Sequence, residues 1–133
     1  MDFGPPLHHV GIVQSNERDA QEQMSLLGLE EEYRGYVPKW SALCIFTKAS
    51  RGSQIEFVIP DGGPLMKFNK GAGGLHHIAL QVPDLDEVEL KLRAEGMKFI
   101  EPNHVRGAGS FICNFVSQVY TRGVTIEYVQ LIV

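Results

Sequence analysis

The sequence has few cysteines, no long hydrophobic run and no block of basic residues. Its two cysteines, Cys44 and Cys113, are too few for a disulfide framework and lack the CxxC spacing of zinc ribbons and thioredoxins, so we expect both in the core. No apolar run approaches the roughly 18 residues that a membrane helix needs. The N-terminus MDFGPPLHH also lacks the basic and apolar regions of a signal peptide. These absences predict a cytoplasmic protein without a membrane partner.

The charge of the chain is mildly acidic. The formal net charge is -4, and lysine and arginine are scattered along the sequence, which argues against nucleic acid as a partner. A hydrophobic content of 44% in 133 residues is ordinary for a globular protein and suffices for a core. We therefore expect one domain, residues 1–133, whose partner is a small molecule.

What the sequence does contain is a histidine pair that occurs twice. The segments PLHHVGIVQ (6–14) and GGLHHIALQV (73–82) align with an offset of 68 residues, from His9 to His77. The same spacing continues, because Gly28 follows His9 by 19 residues and Gly96 follows His77 by 19 residues. An offset of about half the chain predicts two similar modules.

Each module is expected to form a strand, a helix and three further strands, an α+β fold. The first helix begins at Ser15 or Asn16, places Ala20, Met24 and Leu27 on one face and ends at Gly28; the second runs from Asp84, with Glu87 as a capping partner, to Gly96. The remaining extended segments are expected at residues 30–37, 40–48, 53–59, 97–101, 110–118 and 123–131. Module one spans 6–66 and module two 74–133, joined by a linker at 67–73, with an extra loop at 103–110.

Strand alternation divides each histidine pair. Side chains of neighbouring strand residues point to opposite faces, so one histidine of each pair should turn toward the core with branched apolar neighbours, and we assign that position to His8 and His76. His9 and His77 then share the other face with small or polar residues. The strand QIEFVIP places Glu56 on the same kind of face, and GVTIEYV does so for Glu127.

Two imidazoles and two carboxylates, one of each per module, form a ligand set for a divalent metal. An inward carboxylate on a strand is costly to bury unless a positive charge compensates it. We therefore predict a metal site made of His9, Glu56, His77 and Glu127. Zn, Co, Ni, Mn and Fe all suit these donors, and the sequence does not choose among them.

The segments LHHVGIV, IPDGGPLMKFNKGAGGLHHIALQVPDL and GVTIEYVQ resemble the vicinal oxygen chelate superfamily (glyoxalase, bleomycin resistance protein and dioxygenase), and within it the methylmalonyl-CoA epimerase branch. The resemblance implies paired βαβββ modules that form a curved sheet around a metal. It places the ligands at His9, Glu56, His77 and Glu127, the four positions that strand alternation selects.

If the resemblance extends to activity, the reaction is metal-assisted proton transfer at a carbon α to a carbonyl. The substrate would be an acyl-CoA or another carbonyl acid, with Glu127 or Glu56 as an acid/base group, and the protein would form a homodimer. The epimerases carry a further glutamate on the third strand of the first module, whereas WSALCIFTK contains no carboxylate.

Three functions stay open from the sequence. The first is an epimerase or isomerase, and the second is a glyoxalase I-type lyase that acts on a thiol hemithioacetal and uses the same ligand types. The third is a small-molecule-binding protein without catalysis, which would hold no metal. The paired modules could close around the site within one chain or across a dimer.

Overall fold

The structure is a computed structural model that describes residues 4–133. Its regular elements are β1 (Leu7–Val13), α1 (Glu17–Leu27), β2 (Glu31–Val37), β3 (Ala42–Thr47), β4 (Gln54–Pro60), β5 (Gly74–Gln81), α2 (Leu85–Ala94), β6 (Val105–Arg106), β7 (Phe111–Val116) and β8 (Thr125–Leu131), with short 3-10 segments at Pro38–Trp40 and Pro64–Gly71. Neither α-helix in this part of the chain is long and apolar enough to cross a membrane.

All eight strands belong to one sheet, in the order β2-β3-β4-β1-β5-β8-β7-β6. Each half of the sheet repeats the same pattern, since β1 pairs in parallel with β4 and β5 pairs in parallel with β8, while the other pairings are antiparallel. The two halves meet where β1 pairs with β5 in antiparallel fashion. The curved, paired-module sheet expected from the sequence is therefore present.

The first half follows the prediction closely. Asn16, rather than Ser15, caps α1, because its side chain accepts a hydrogen bond from the backbone N–H of Asp19. Gly28 ends the helix with φ of 70°, a left-handed conformation that suits glycine. Ala20 and Met24 are buried as expected, but Leu27 is 51% exposed, so its assignment to the buried face is wrong.

The second half departs from the prediction after α2. Asp84 caps this helix and Gly96 follows its end with a positive φ, as expected. Residues 97–101, however, form no strand: Phe99 makes a single isolated bridge to Val116, and the short strand β6 lies instead within residues 103–110. The ladder does not extend further, because the backbone N–H and C=O of Glu101 bond to the side chain of Asn114, at 3.1 and 3.0 Å, and Pro102 has no N–H to donate.

Within residues 4–133, the core lies in three clusters. Under α1, Ala20 and Met24 pack on Ile45 and Phe57 of the outer sheet face. Under α2, a cluster of Leu85, Leu92, Phe99 and Val116 forms the equivalent contact. The third cluster lies on the inner face between the two halves and includes both cysteines, which are buried and free as predicted.

The curved sheet is nearly closed by contacts between β2 and the segment that precedes β7. A Cβ atom built on Gly35 of β2 would lie 2.7 Å from the carbonyl oxygen of Ala108, and one built on Gly109 would lie 2.6 Å from the Tyr33 hydroxyl. Gly35 therefore has to be glycine for the two backbones to approach, and Gly109 leaves room for the Tyr33 side chain. The extra loop predicted at 103–110 thus contacts the far edge of the other half.

Candidate metal centre

The four predicted ligand residues lie on the four central strands of the sheet. Glu56 is on β4, His9 on β1, His77 on β5 and Glu127 on β8, and these strands are consecutive neighbours. All four residues are buried, with His9 completely inaccessible. Each offers one donor atom, and the four atoms lie within 4.8 Å of one another. The structure therefore brings together the four side chains that strand alternation selected.

The donor atoms are spaced as the ligands of a single ion would be. His9 Nε2 lies 2.9 Å from Glu127 Oε1 and 3.2 Å from Glu56 Oε1. His77 Nε2 lies 3.0 and 3.3 Å from the same two oxygens, and the two Nε2 atoms are 3.2 Å apart. Metal–ligand bonds of about 2.0–2.2 Å put neighbouring donors roughly 3.0–3.6 Å apart. The residues present thus fit a divalent ion.

Without an ion, the cluster is held by buried opposite charges. Burial alone would lower the pKa of His9, but the carboxylates of Glu56 and Glu127 outweigh it and raise that pKa to about 10. The pKa of His77 rises to about 9 for the same reason. Burial acts to raise the pKa of each glutamate, yet the two imidazoliums lower both values. Near neutral pH the metal-free cluster therefore contains two imidazoliums and two carboxylates.

Small residues on the central strands leave space for the imidazole rings. In the sheet register, Gly11 lies between Glu56 and His77, and Ala79 lies between His9 and Glu127. A Cβ atom on Gly11 would overlap the ring of His77, with both ring nitrogens within 2.5 Å. Gly11 is thus a requirement of the site rather than of the strand.

The prediction for His8 and His76 is wrong, because neither turns away from the site. His8 Nδ1 lies 2.7 Å from His9 Nδ1, and His76 Nδ1 lies 2.7 Å from His77 Nδ1. Burial, followed by the neighbouring imidazolium, lowers the pKa of both, that of His76 to about 4, so both rings are neutral. The reason is a β-bulge at each position, since the β1–β5 register shifts at both.

A cavity of about 340 Å³ opens next to the cluster, with Glu56, His77 and Glu127 in its wall. The rest of its lining is mostly apolar and includes Trp40, Leu65, Phe111 and Phe115. Among the described residues, no lysine or arginine lines it. The cavity has the size and apolar character of a small-molecule site.

The cavity also contains a carboxylate that the sequence did not identify. Glu101 lies in its lining and forms an ion pair of 3.2 Å with Lys39 of the other half. Glu101 is the last residue of the segment 97–101, which is not a strand, so strand alternation could not place its side chain. Its nearest sequence signal is the adjacent Pro102, which marks irregular backbone.

The inner wall formed by β3 carries no acid. Ala42, Cys44 and Phe46 are its inward residues, all of them buried. Burial first, and then the charge of Glu56, raises the pKa of the Cys44 thiol, which is therefore uncharged. The missing carboxylate noted in the sequence is thus also missing from this wall.

A second group of possible ligands, Asp86, Glu89 and His104, is better explained by hydrogen bonding. The side-chain oxygen of Asn114 accepts from two backbone N–H groups, so its nitrogen must donate to His104 Nδ1, at 3.2 Å. The ring proton is then on Nε2 and donates to Asp86 Oδ1, at 3.0 Å. A metal at Nε2 would displace that proton onto a nitrogen that already faces a donor.

The fold and the site together define a protein of two repeated modules around a buried His₂Glu₂ centre. The sequence model of the glyoxalase/bleomycin resistance protein/dioxygenase superfamily matches residues 8–115. The chain therefore belongs to that superfamily. Comparison with the curated proteins gives no match.

Solved structures share this fold over nearly the whole chain. Methylmalonyl-CoA epimerase from Mycobacterium tuberculosis has a TM-score of 0.85 at 24% identity, covering 95% of this chain and 87% of that one. A hypothetical protein from Bacillus halodurans C-125 has a TM-score of 0.80 at 25% identity, covering 93% and 92%. A variant of the Streptomyces coelicolor epimerase, solved with 2-nitronate-propionyl-CoA, has a TM-score of 0.84 at 19% identity, covering 97% and 99%.

Proposed function

We propose that the chain is a divalent-metal-dependent isomerase that moves a proton at a carbon α to a carbonyl, as methylmalonyl-CoA epimerases do. In this proposal His9, Glu56, His77 and Glu127 hold the metal. The observation that carries it is the convergence of four buried donors beside an apolar cavity of about 340 Å³. Zn, Co, Ni, Mn and Fe all suit two imidazoles and two carboxylates.

A metal held there would polarise the substrate carbonyl and stabilise the negative charge that develops on its oxygen. The proton itself must be taken by a group of the protein. Glu127 and Glu56 are the candidates, because each places a carboxylate in the cavity wall. A carboxylate removes a proton only in its ionised form, which the neighbouring imidazoles favour in both residues.

Epimerisation needs a second acid/base group on the opposite face of the carbon. The wall formed by β3 offers none. Glu101 is the third carboxylate of the cavity, and its ion pair with Lys39 keeps it in place at the boundary between the two halves. We propose that Glu101, once it has taken a proton from solvent, delivers that proton to the opposite face, while Glu127 or Glu56 keeps the α-proton and later releases it to solvent.

An acyl-CoA is the proposed substrate class. Similar structures have been solved with 2-nitronate-propionyl-CoA and with methylmalonyl-CoA. The cavity is at the small end of ligand sites, which span roughly 300–1,000 Å³. It would therefore take the acyl group, while the nucleotide of CoA would remain outside.

Deuterium exchange tests this function. The metal-loaded protein is incubated with methylmalonyl-CoA in deuterated water, and incorporation at the α-carbon is followed by mass spectrometry. We expect exchange in the wild type, a loss of about 10²–10⁴-fold in Glu127→Gln if that carboxylate is the base, and exchange without epimerisation in Glu101→Gln. Absence of exchange in the loaded wild type would reject this substrate.

The second candidate is a glyoxalase I-type lyase, favoured by the absence of an acid on β3. Turnover of methylglyoxal with glutathione, without deuterium exchange into methylmalonyl-CoA, would support it. A binding protein without catalysis is the third candidate, and metal content of the purified protein bears on it directly. The module boundaries, the homodimer and the cytoplasmic location stay predictions of the sequence.

A further inference from the structure

Each histidine of the metal centre contacts a second imidazole at Nδ1, the ring nitrogen that faces away from the carboxylates. The Nδ1 atoms of His8 and His9 are 2.7 Å apart, and those of His76 and His77 are separated by the same distance. The Nε2 atoms of His9 and His77 face the carboxylates instead. In both halves the ligand ring is therefore fixed at both nitrogens.

The protons of each pair can be assigned from this geometry. Two nitrogens at 2.7 Å share one proton, so one donates and the other accepts. Nε2 of His9 and His77 must offer a lone pair to a metal, so each ligand ring carries its proton on Nδ1. His8 and His76 then accept through Nδ1 and carry their own proton on Nε2.

A β-bulge in the β1–β5 pairing positions the acceptor histidine in each half. Leu7 pairs with Leu80 and His9 with Ala79, which leaves His8 as an extra residue on β1. On β5 the extra residue is His76, because Gly11 pairs with His77 and Ile12 with Leu75. Both bulges fall on the first histidine of a pair and turn its ring toward the ligand.

Aromatic contacts keep the two acceptor rings in place. His8 packs edge-on against Phe111, with ring centroids 5.4 Å apart, and His76 packs in the same way against Phe68, at 4.9 Å. A neutral acceptor also suits the charge of the site. Two carboxylates already balance a divalent ion, so a third carboxylate behind a ligand would leave an uncompensated buried charge.

We propose that His8 and His76 are positioning residues, which accept the Nδ1 protons of His9 and His77 and so direct Nε2 of each ligand toward the metal. This inference rests on the proposed metal site, although it does not depend on which substrate the protein uses. Partners of this kind orient a metal-bound histidine, and their loss typically costs about 10–100-fold in metal affinity.

The test compares two substitutions at each position. Leucine removes the acceptor in His8→Leu and His76→Leu, whereas asparagine in His8→Asn and His76→Asn keeps an acceptor oxygen near the place of Nδ1. His104→Leu is the matched control, because it removes a half-buried histidine that does not contact the centre. Affinity for Co²⁺ is measured by chelator competition, the ligand field by visible absorption, and folding by circular dichroism.

We expect each leucine variant to lose about 10–100-fold in Co²⁺ affinity with an altered visible spectrum. Each asparagine variant should recover most of the affinity, and His104→Leu should match the wild type. In the wild type with Zn²⁺, long-range ¹⁵N–¹H spectra should show the proton of His8 and His76 on Nε2.

Three results would overturn the proposal. Folded leucine variants with wild-type affinity and spectrum would show that the acceptors are dispensable, and equal losses in the leucine and asparagine variants would indicate packing alone. A wild type that binds no metal would refute the metal site and this inference together. A wild type that binds metal but does not exchange deuterium into methylmalonyl-CoA would refute only the proposed substrate. The positioning role would then still be decided by the Co²⁺ affinities and spectra of the leucine and asparagine variants.

Discussion

At the scale of single residues, the centre is built so that one divalent ion can replace two protons. The metal-free cluster carries two imidazoliums and two carboxylates, which sum to zero charge. With two neutral imidazoles, two carboxylates and a divalent ion the sum is again zero. Buried net charge is costly. Because the net charge is zero in both states, the four side chains can keep the same arrangement with and without metal.

Metal binding should therefore release protons. In the metal-free protein at pH 7 both His9 and His77 are protonated, since their pKa values are about 10 and about 9. Binding requires both neutral, so nearly two protons should leave per ion, and affinity should rise up to about a hundredfold per pH unit near neutrality. The increase should flatten as pH approaches those pKa values.

Calorimetry measures this release. Zn²⁺ is titrated into metal-free protein at pH 7 in two buffers with different ionisation enthalpies, and the difference in heat gives the proton count. Glu56 and Glu127 contribute none, because both are already ionised. The His104→Leu variant should give the same count, and a count below one would contradict the buried imidazoliums.

Gly11 gives a second prediction at this scale. In Gly11→Ala the new methyl group overlaps the His77 ring, which must move away from the other donors. We expect metal affinity to fall at least tenfold and unfolding free energy to fall by about 1–3 kcal/mol, measured by chelator competition and urea denaturation. Gly62→Ala is the control, since its Cβ would lie 3.7 Å from Ser41, an ordinary contact. A Gly11→Ala variant with unchanged affinity would mean that the ring has room to adjust.

Residue-level prediction from sequence succeeded where local rules hold. Alternation correctly placed His9, His77, Glu56 and Glu127 on the inner face, because each strand alternates regularly from that residue onward. It failed for the first histidine of each pair because the bulges arise in the pairing of β1 with β5, strands far apart in sequence. No property of one strand by itself reveals such a register shift.

At the scale of elements, the ends of the helices were predictable because caps are local. Asn16, Gly28, Asp84 and Gly96 all do what their residue types favour. The conformation of residues 97–101 was not predictable in this way. Their apolar residues satisfy a strand pattern, but they are buried in the cluster under α2 rather than in a sheet. Burial by itself does not provide a pairing partner.

The cap of α1 gives the prediction at this scale. Asn16→Ala removes the acceptor for the Asp19 N–H, 2.8 Å away, and leaves that donor to water. The unfolding free energy should fall by about 1 kcal/mol. Ser15→Ala is the matched control, because its hydroxyl makes only long, exposed contacts, donating to the Asp19 carboxylate at 3.4 Å and accepting from Asn16 Nδ2 at 3.3 Å. It should change stability by less than about 0.5 kcal/mol.

Urea denaturation of both variants measures the difference. Metal affinity should be unchanged in each, since α1 lies on the outer face of the sheet and the donors lie on the inner face. Equal losses of unfolding free energy in the two variants would mean that both side chains contribute to capping α1.

At the scale of the whole molecule, the two halves share one centre. Each half contributes one histidine and one glutamate, and the inner cluster joins residues of both. The cavity is likewise formed between halves, with the rings of Trp40 from the first and Phe115 from the second only 5.2 Å apart. Repetition in the sequence predicted this sharing, although the lining of the cavity depends on loops that repetition does not describe.

Because the donors come from both halves, a bound ion should stabilise the molecule as one unit. Ligand that binds only the folded state adds RT ln(1 + [L]/Kd), about 4 kcal/mol at a thousandfold excess over Kd. For a domain of this size each kcal/mol raises Tm by roughly 3–5 °C. Zn²⁺ should therefore raise Tm by on the order of 10–20 °C over protein treated with chelator, in a single transition measured by calorimetry.

In Glu127→Gln the rise in Tm should be much smaller, because one charged donor is lost, while His104→Leu should show the full rise. Two separate transitions, with only one responding to Zn²⁺, would mean that the halves do not share the ion, and the four donors would then have to act in two places rather than at one.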